Sequence, residues 1–572
     1  MQETLQALLQ QRLGDALSKL HLDRSLAIVT PVADARFGDY QTNAAMVLAK
    51  QERKNPRLVA AELIEKIDVT DLSVAPELAG AGFINFRLTT SFLEQRVTAL
   101  LQDPRCGVPV VENPQTIVID FSSPNVAKPM HVGHIKSTVL GDALARIARF
   151  LGHRVITDNH LGDWGTQFGK VIYGWKHLRN PADPEASTVH ELVRLYREVT
   201  EREQHDPVMK AAVREELVKL QQGDLENVAI WKEVVVISWK EFEQVYGLLN
   251  IVFDECLGES SYNEALVPLV KRLEQEGIAE ESQGALVVFF KDHPSLAEKP
   301  FLIRKADGGF LYATTDIATL EYREQRWHPD QVWYVCGMPQ QLHFEQLFAV
   351  AKKMGVQADL RHVIFGSILG EDRKMMKTRS GDNVDLIALL EEAIDRAHKL
   401  VAEKNPSFSE EEKKKIAQTV GLGALKYADL MQHRTTDTIF SWEKMLSFQG
   451  NTAPYLQNAY VRIQSILRKD KEAGGGSGQG PIKLQEDAER TLALQLLQFA
   501  EIVPAVLVDA RPNILCLALY ELANSFHRFY EQCPILKAEE SLKESRLSLA
   551  QIAARVLQLG LELLGINVPE RM

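Results

Sequence analysis

Cysteine is scarce in this chain. The 572 residues hold five, Cys106, Cys256, Cys336, Cys516 and Cys533, and no two form a CxxC pair. That scatter excludes a disulfide scaffold and a Cys-ligated structural zinc, and it predicts a reducing compartment. Positive charge is not in surplus either: 65 Lys+Arg face 77 Asp+Glu, a formal net charge of −12. Such acidity argues against indiscriminate binding to nucleic acid, while leaving room for an RNA gripped by shape and a local basic stripe. No run approaches the ~18 consecutive apolar residues of a membrane span. The first residues lack the basic and apolar segments of a secretory signal. A cytoplasmic protein with no membrane partner is the expectation.

What is present is an ordinary globular composition, 45% hydrophobic and 25% charged. The length predicts roughly three or four domains. Residues 1–107 read as a small α+β unit, with helices over Tyr40–Lys50 and Asn55–Ile67 and a strand over Gly82–Leu88. Asp103–Gly107 reads as a boundary loop. Residues 108–380 carry a β-α-β pattern. Thr116–Phe121 is a continuous apolar run that suits a buried parallel strand. Ile135, Val139, Ala143, Ile147, Phe150 and Leu151 form the stripe of a packed helix, and Arg154–Asp158 is the next strand. That order predicts a doubly wound α/β sheet. Residues 166–275 read as a mainly helical insertion, after which strands resume at Leu286–Phe290, Gln331–Val335 and Val363–Phe365. A helical connector over 381–445 and an all-α bundle over 446–572 complete the chain. Ser409 and Glu412 have the spacing of a capping box.

Two segments carry chemistry. The first is Ser122–His134, between the first sheet strand and its helix, where the crevice of an open sheet and a helix N-terminus coincide. His131 and His134 lie one turn apart on one face, and Gly133 between them allows close approach of a nucleotide. Paired imidazoles there can donate to a phosphate as its charge builds. The plainer reading is that they only cap the helix. The second segment, Lys374–Gly381, is a basic loop following Phe365-Gly366, suited to a leaving pyrophosphate or to a solvated surface.

Together the segments resemble the HIGH and KMSKS signatures of class I aminoacyl-tRNA synthetases, and within that class the arginyl-tRNA synthetase family. Asp120–His134, Asp158–Gly169, Tyr312–Asp316, residues 36–50, Gly560–Ile566 and Pro569–Met572 carry the likeness over essentially the whole chain. The resemblance implies a class I Rossmann-like catalytic domain with a helical insertion, an N-terminal α+β tRNA-contacting domain and a C-terminal all-α anticodon-binding bundle. It implies that arginine is activated by ATP and passed to the terminal ribose of tRNA(Arg), with tRNA needed even for the first step. The Mg2+ complex of ATP is a substrate; no tightly bound cofactor and no resident metal are expected, and the protein is expected to be a monomer.

Roles follow residue by residue. Asp120, Ser123 and Asn125 would hold the backbone end of arginine, and Tyr312, Asp316 and Gln340 its guanidinium. His131, Gly133, His134, Lys128, Lys377 and Arg379 would form the catalytic set, with His131, His134, Phe365 and Gly366 on ATP. Plainer roles stand beside these: Asp120 as a turn cap, Tyr312 as a core aromatic, Asp316 as a helix cap, and Gln341 in place of Gln340. The basic loop fits the signature in two registers, Lys374–Thr378 or Met376–Gly381, and in the second Lys128 supplies the missing cation. A small-molecule nucleotidylyltransferase shares HxGH but has no use for the terminal domains, and a catalytically silent relative would keep the fold alone.

Overall fold

The computed structural model describes residues 3–183, 185–377, 384–475 and 478–572. The chain forms two compact units. One is Glu112–Leu446 with Leu564–Ile566; the other is Met1–Val111, Ser447–Leu563 and Asn567–Met572.

At the centre of the first unit are four parallel strands: β1 (Thr116–Asp120), β2 (Arg154–Asp158), β3 (Gln331–Tyr334) and β4 (Asp359–His362), in the order β4-β3-β1-β2. Helix α1 (Val132–Phe150) joins β1 to β2. The insertion follows, four helices before a short loop, the last being α2 (Leu225–Leu249). Helix α3 (Tyr312–Trp327) leads into β3, and α4 (Gln341–Lys353) leads from β3 to β4. The chain leaves β1 toward β2 and later returns to the other side of β1, so a crevice opens at the carboxyl ends of β1 and β3. A short parallel pair, β5 (Ile368–Leu369) and β6 (Thr438–Ile439), flanks the helices α5 (Leu386–Lys404) and α6 (Glu410–Leu430). The capping box at the start of α6 is formed as read, Ser409 Oγ accepting from Glu412 N–H and Glu412 accepting from Ser409 N–H.

Two strand expectations need correction. Leu286–Phe290 contributes Ala285–Val288, which lies in a separate antiparallel sheet with Glu280–Ser282 and Phe301–Arg304. A short apolar run does not reveal which sheet it joins. The strand placed at Val363–Phe365 lies upstream, at Asp359–His362, and stops just before the expected start, although Val363 N–H still donates to Tyr334 O.

In the second unit, residues 1–111 pack with the C-terminal helices. The helix expected from Tyr40 begins only at Ala44; Tyr40–Thr42 is a strand paired antiparallel with Ile84–Phe86. Tyr40 and Asp39 at its start are buried because they are docking groups. Arg490 grips Asp39 with two parallel bonds of 2.9 and 2.7 Å, and Tyr40 Oη donates to Glu501 at 2.9 Å. Arg490 and Glu501 sit on the helix Asp487–Val508, which by length and composition alone could cross a membrane. Here it is a core helix: its charges are paired inside the unit, Glu489 with Arg546 at 2.7 Å, and it packs on Pro512–Gln532.

Burial pushes Glu501 up to about 7. An acid raised in the folded state contributes stability that is full below its unfolded value and is lost as pH climbs through the folded one. The second unit should therefore lose on the order of 2–3 kcal/mol of stability between pH 5 and 8 through this group. Thermal melts across that range should fall less steeply for Glu501→Gln than for the wild type; parallel curves would show that Glu501 is not titrating.

Candidate active site

The strand tips at the crevice are tied by a guanidinium that sequence reasoning missed. Arg323 of α3 is fully buried; its Nη2 donates to Asp120 Oδ2 at 2.6 Å and to Asp158 Oδ2 at 2.8 Å. Its guanidinium also lies 5.3 Å from the Tyr334 ring centre. Burial opposes the charge, but the two carboxylates outweigh it and hold the pKa of Arg323 above the ordinary arginine value. Asp158 is pushed up by burial, and Arg323 offsets this only in part. A signal was available, since Arg323 follows Asp316 by seven residues and so shares its helix face. Asp120 is thus committed to Arg323 and to the Ser123 hydroxyl, 3.0 Å away, and does not merely cap the turn.

The loop after β1 is bent sharply. Ser122, Ser123 and Ala127 have φ of 72°, 48° and 62°, a region that non-glycine residues occupy only when their surroundings hold them there. The insertion supplies much of that hold. Tyr246 Oη of α2 lies 2.9 Å from Ser122 Oγ, and Ser238 Oγ, also on α2, accepts from Ala127 N–H at 3.0 Å. Asn159 Oδ1 accepts from Ser123 N–H. Gly162 brackets the loop through Val126 N–H and Pro124 O, leaving the Asn125 side chain exposed.

His131 is the N-cap of α1, its Nδ1 accepting from Gly133 N–H at 3.1 Å, and His134 Nδ1 accepts from His131 N–H at 3.0 Å. Both imidazoles therefore do cap the helix, and the cap has a chemical consequence. An Nδ1 that accepts carries no proton, so each imidazole keeps its proton on Nε2 and can donate from there. The rings lie 4.0 Å apart. Burial and then the charge of Lys128 lower the pKa of His131; burial and then His131 bring His134 down to about 4, so both are neutral donors at pH 7. Gly133 is required by the cap itself: a Cβ there would stand 2.9 Å from the His131 ring.

On the other side of the crevice, Tyr312 opens α3 and is 63% exposed, not a core aromatic. Asp316 is the fifth residue of α3 and does not cap it. His343, on the first turn of α4, approaches Asp316 Oδ2 with Nε2 at 2.6 Å, and its ring is 5.1 Å from that of Tyr312. His160 Nε2 stands 3.9 Å from Asp316 Oδ1, and neither ring nitrogen of this buried imidazole makes a hydrogen bond among the described residues. Glu259 completes the group; burial and then Asp316 and Asp163 push its pKa up to about 8. No pattern in the sequence marked Glu259. Asp163, in the segment quoted from Asp158 to Gly169, places it by accepting from Ser260 N–H and Oγ. Gln341 donates within its own helix to Glu345, whereas Gln340 is exposed at the start of α4.

Lys128 and Lys377 are exposed. Gly337 and Phe365 bridge in parallel, which sets Phe365 and Gly366 beside the loop leading to Gln340. Arg379, and with it the choice of register in the basic loop, lies outside the described residues.

A parallel sheet with an imidazole-capped helix at its switch point, a helical insertion and a C-terminal helical bundle defines a class I aminoacyl-tRNA synthetase. Family models agree: residues 96–442 match the "tRNA synthetases class I (R), catalytic domain", residues 456–572 the "DALR anticodon binding domain", and residues 4–88 the "Arginyl tRNA synthetase N terminal domain". The chain is 46% identical over 553 residues to an arginine–tRNA ligase of a Cyanothece species, covering 94% of each. It superposes on the arginyl-tRNA synthetase of Plasmodium falciparum with a TM-score of 0.86 at 29% identity, covering 100% of this chain and 99% of that one. The Thermus thermophilus arginyl-tRNA synthetase gives 0.84 at 26%, with 99% and 100% covered. The chain belongs to the arginyl-tRNA synthetase family.

A donor role at Nε2 can be separated from the cap at Nδ1. His134→Asn keeps an acceptor near the Nδ1 position, and His134→Gln keeps a donor near Nε2. In single-turnover adenylate formation with tRNA present, His134→Asn should fall by ~10²–10³ with its melting temperature nearly unchanged, as for loss of one oxyanion donor. His134→Gln should retain more of the rate. The reverse order would leave the histidine as a cap only.

Proposed function

We propose that the crevice activates L-arginine with ATP and passes it to the terminal ribose of tRNA(Arg), making the protein an arginine–tRNA ligase of the AMP-forming kind. One observation carries the choice of amino acid: Asp316 and Glu259 share the pocket with two imidazoles, and among the described residues no lysine or arginine pairs with either acid. Glu259 resists ionisation because it is buried and then because Asp316 and Asp163 are near, so the pocket favours an incoming positive charge. A guanidinium supplies it and matches a carboxylate with two parallel bonds, as a lysine ammonium does not. Tyr312 and Gln340 flank it at the starts of α3 and α4. Ser123 and Asn125, on the strained loop beside Asp120, hold the backbone end of the amino acid.

The arginine carboxylate then attacks the α-phosphate of ATP, and pyrophosphate leaves. No side chain becomes covalently attached; catalysis is positioning and charge stabilisation. The Nε2–H groups of His131 and His134 meet the charge developing on the phosphate. Lys128, Lys377 and Arg379 stabilise pyrophosphate, and Phe365 and Gly366 line the nucleotide. ATP arrives as its Mg2+ complex, a substrate. In the second step the 2′-OH of the terminal ribose of tRNA takes the arginyl group. We place the enzyme in the cytoplasm as a monomer, with residues 1–107 and 446–572 contacting tRNA. On the latter, Tyr455 packs against Tyr520 and His527, and Arg462 lies 5.0 Å over the Tyr530 ring, a chemistry suited to stacking bases.

Asp316→Asn should reduce kcat/KM for arginine by hundreds-fold or more, since a desolvated charge pair that loses one partner costs ~3–5 kcal/mol. It should also shrink the preference over citrulline, the neutral analogue; an unchanged preference would place the specificity carboxylate elsewhere. Arginine binding at pH 7 should release a proton from Glu259, and affinity should rise from pH 6 to 8. Calorimetry in buffers of different ionisation enthalpy checks this, and the release should vanish in Glu259→Gln.

A further inference from the structure

Helix α1 has a second functional face. Lys136 follows His134 by two residues and so points to the other side of the helix, away from the capped imidazoles. It is 2% exposed, yet it ends in no solvent-facing contact. Its Nζ donates to Asp429 Oδ1 of α6 at 2.7 Å and to Thr438 Oγ1 of β6 at 2.7 Å. Thr438 Oγ1 in turn lies 3.1 Å from Asp429 Oδ1, closing a buried triangle.

That triangle grips the segment that carries the basic loop. β6 pairs in parallel with β5, Thr438 N–H donating to Ser367 O and Phe440 N–H to Leu369 O. Just before β5, Gly366 N–H donates to Arg434 O and Ser367 N–H to Asp437 Oδ1 at 2.7 Å. The approach is so close that a Cβ on Gly366 would stand 2.9 Å from Thr435 O and Asp437 Oδ1. β5 runs straight into a hairpin: Leu369 bridges Met375, Gly370 N–H donates to Lys374 O, and Lys377 follows. A continuous chain of short bonds thus leads from α1 through Lys136, Asp429 and Thr438 to β6, β5 and the hairpin.

We infer that Lys136 is a positioning residue that sets the distance between the imidazole pair and the lysines of the basic hairpin, by anchoring the strand beneath that hairpin to the back of the helix bearing the imidazoles. The inference rests on the reading, above, that this hairpin serves the phosphates of ATP. The physical reason for a charged link is its direction. An apolar contact would tolerate sliding, whereas an ammonium shared between a carboxylate and a hydroxyl fixes one geometry.

The test separates positioning from mere stability. Thr438→Val leaves the ion pair intact and removes one corner of the triangle. Lys136→Met/Asp429→Leu replaces the buried pair by apolar groups, a change that commonly keeps a protein folded. Lys377→Ala reports on the hairpin itself. Single-turnover adenylate formation with tRNA present is measured against ATP and against arginine, together with melting temperature. Thr438→Val should raise the ATP requirement about five- to tenfold with that for arginine unchanged. The double variant should melt near the wild type yet show the same ATP defect. Adding Lys377→Ala to Thr438→Val should cost no more than Lys377→Ala alone. Wild-type ATP kinetics in Thr438→Val and the double variant, or strict additivity with Lys377→Ala, would overturn the inference while leaving the hairpin's role intact. Lys377→Ala with wild-type ATP kinetics would remove that role and the inference with it.

Discussion

The site depends on one buried guanidinium. β1 and β2 each end in an aspartate, and two carboxylates at neighbouring strand tips in a dry interior would repel one another and resist ionisation. Arg323 reaches both, so one positive charge holds the tips of β1 and β2 to the helix that bears Asp316. Removing it would leave two uncompensated buried charges, a loss of ~3–5 kcal/mol or more. Because α3 begins with Tyr312 and Asp316 and passes Arg323 two turns later, the same bond that ties the sheet also aims the pocket. In the proposed reading, selection of the side chain and placement of the backbone end are therefore mechanically one thing.

A second constraint is strain. Three non-glycine residues with positive φ sit between β1 and α1, and the loop keeps that shape through side chains of α2, more than a hundred residues further on. The insertion is thus more than a surface addition, because Tyr246 and Ser238 complete the loop that presents Ser123 and Asn125. Likewise, in the proposed mechanism, the imidazoles do two jobs with two nitrogens. The cap uses Nδ1 and, by doing so, decides where the proton resides. Stability of the helix end and readiness to meet a phosphate are not competing readings of His131 and His134, since the first produces the second.

Much was legible along the chain because it is local. β1, α1 and β2 follow from an apolar run, a 3.6-residue stripe and the strand segment Arg154–Asp158, and the capping box at Ser409 and Glu412 follows from spacing alone. The misreadings share a cause. Tyr40–Thr42 reads as the start of the helix that follows it, whereas pairing with Ile84–Phe86 decides its state. Leu286–Val288 has the composition of a sheet strand, but composition does not name the sheet. Glu259 and His343 carry no local mark at all, and their meaning comes from Asp316, which is far from Glu259 in the chain and on another helix from His343.

The residue pattern by itself determined the parallel sheet's first crossover, the helix start bearing His131, Gly133 and His134, and the family to which the chain belongs, because each is written within a few turns of backbone. Tertiary structure alone decided which charges are free. Asp120 and Asp316 look alike in sequence, each beside a candidate substrate group. Folding gives Asp120 a cation, Arg323, shared with Asp158, and surrounds Asp316 with a second acid and two imidazoles. The difference lies in pairings across 203 residues in one case and 27 in the other, and electrostatic environment in a folded interior is set by what comes near in space, which no window of sequence contains.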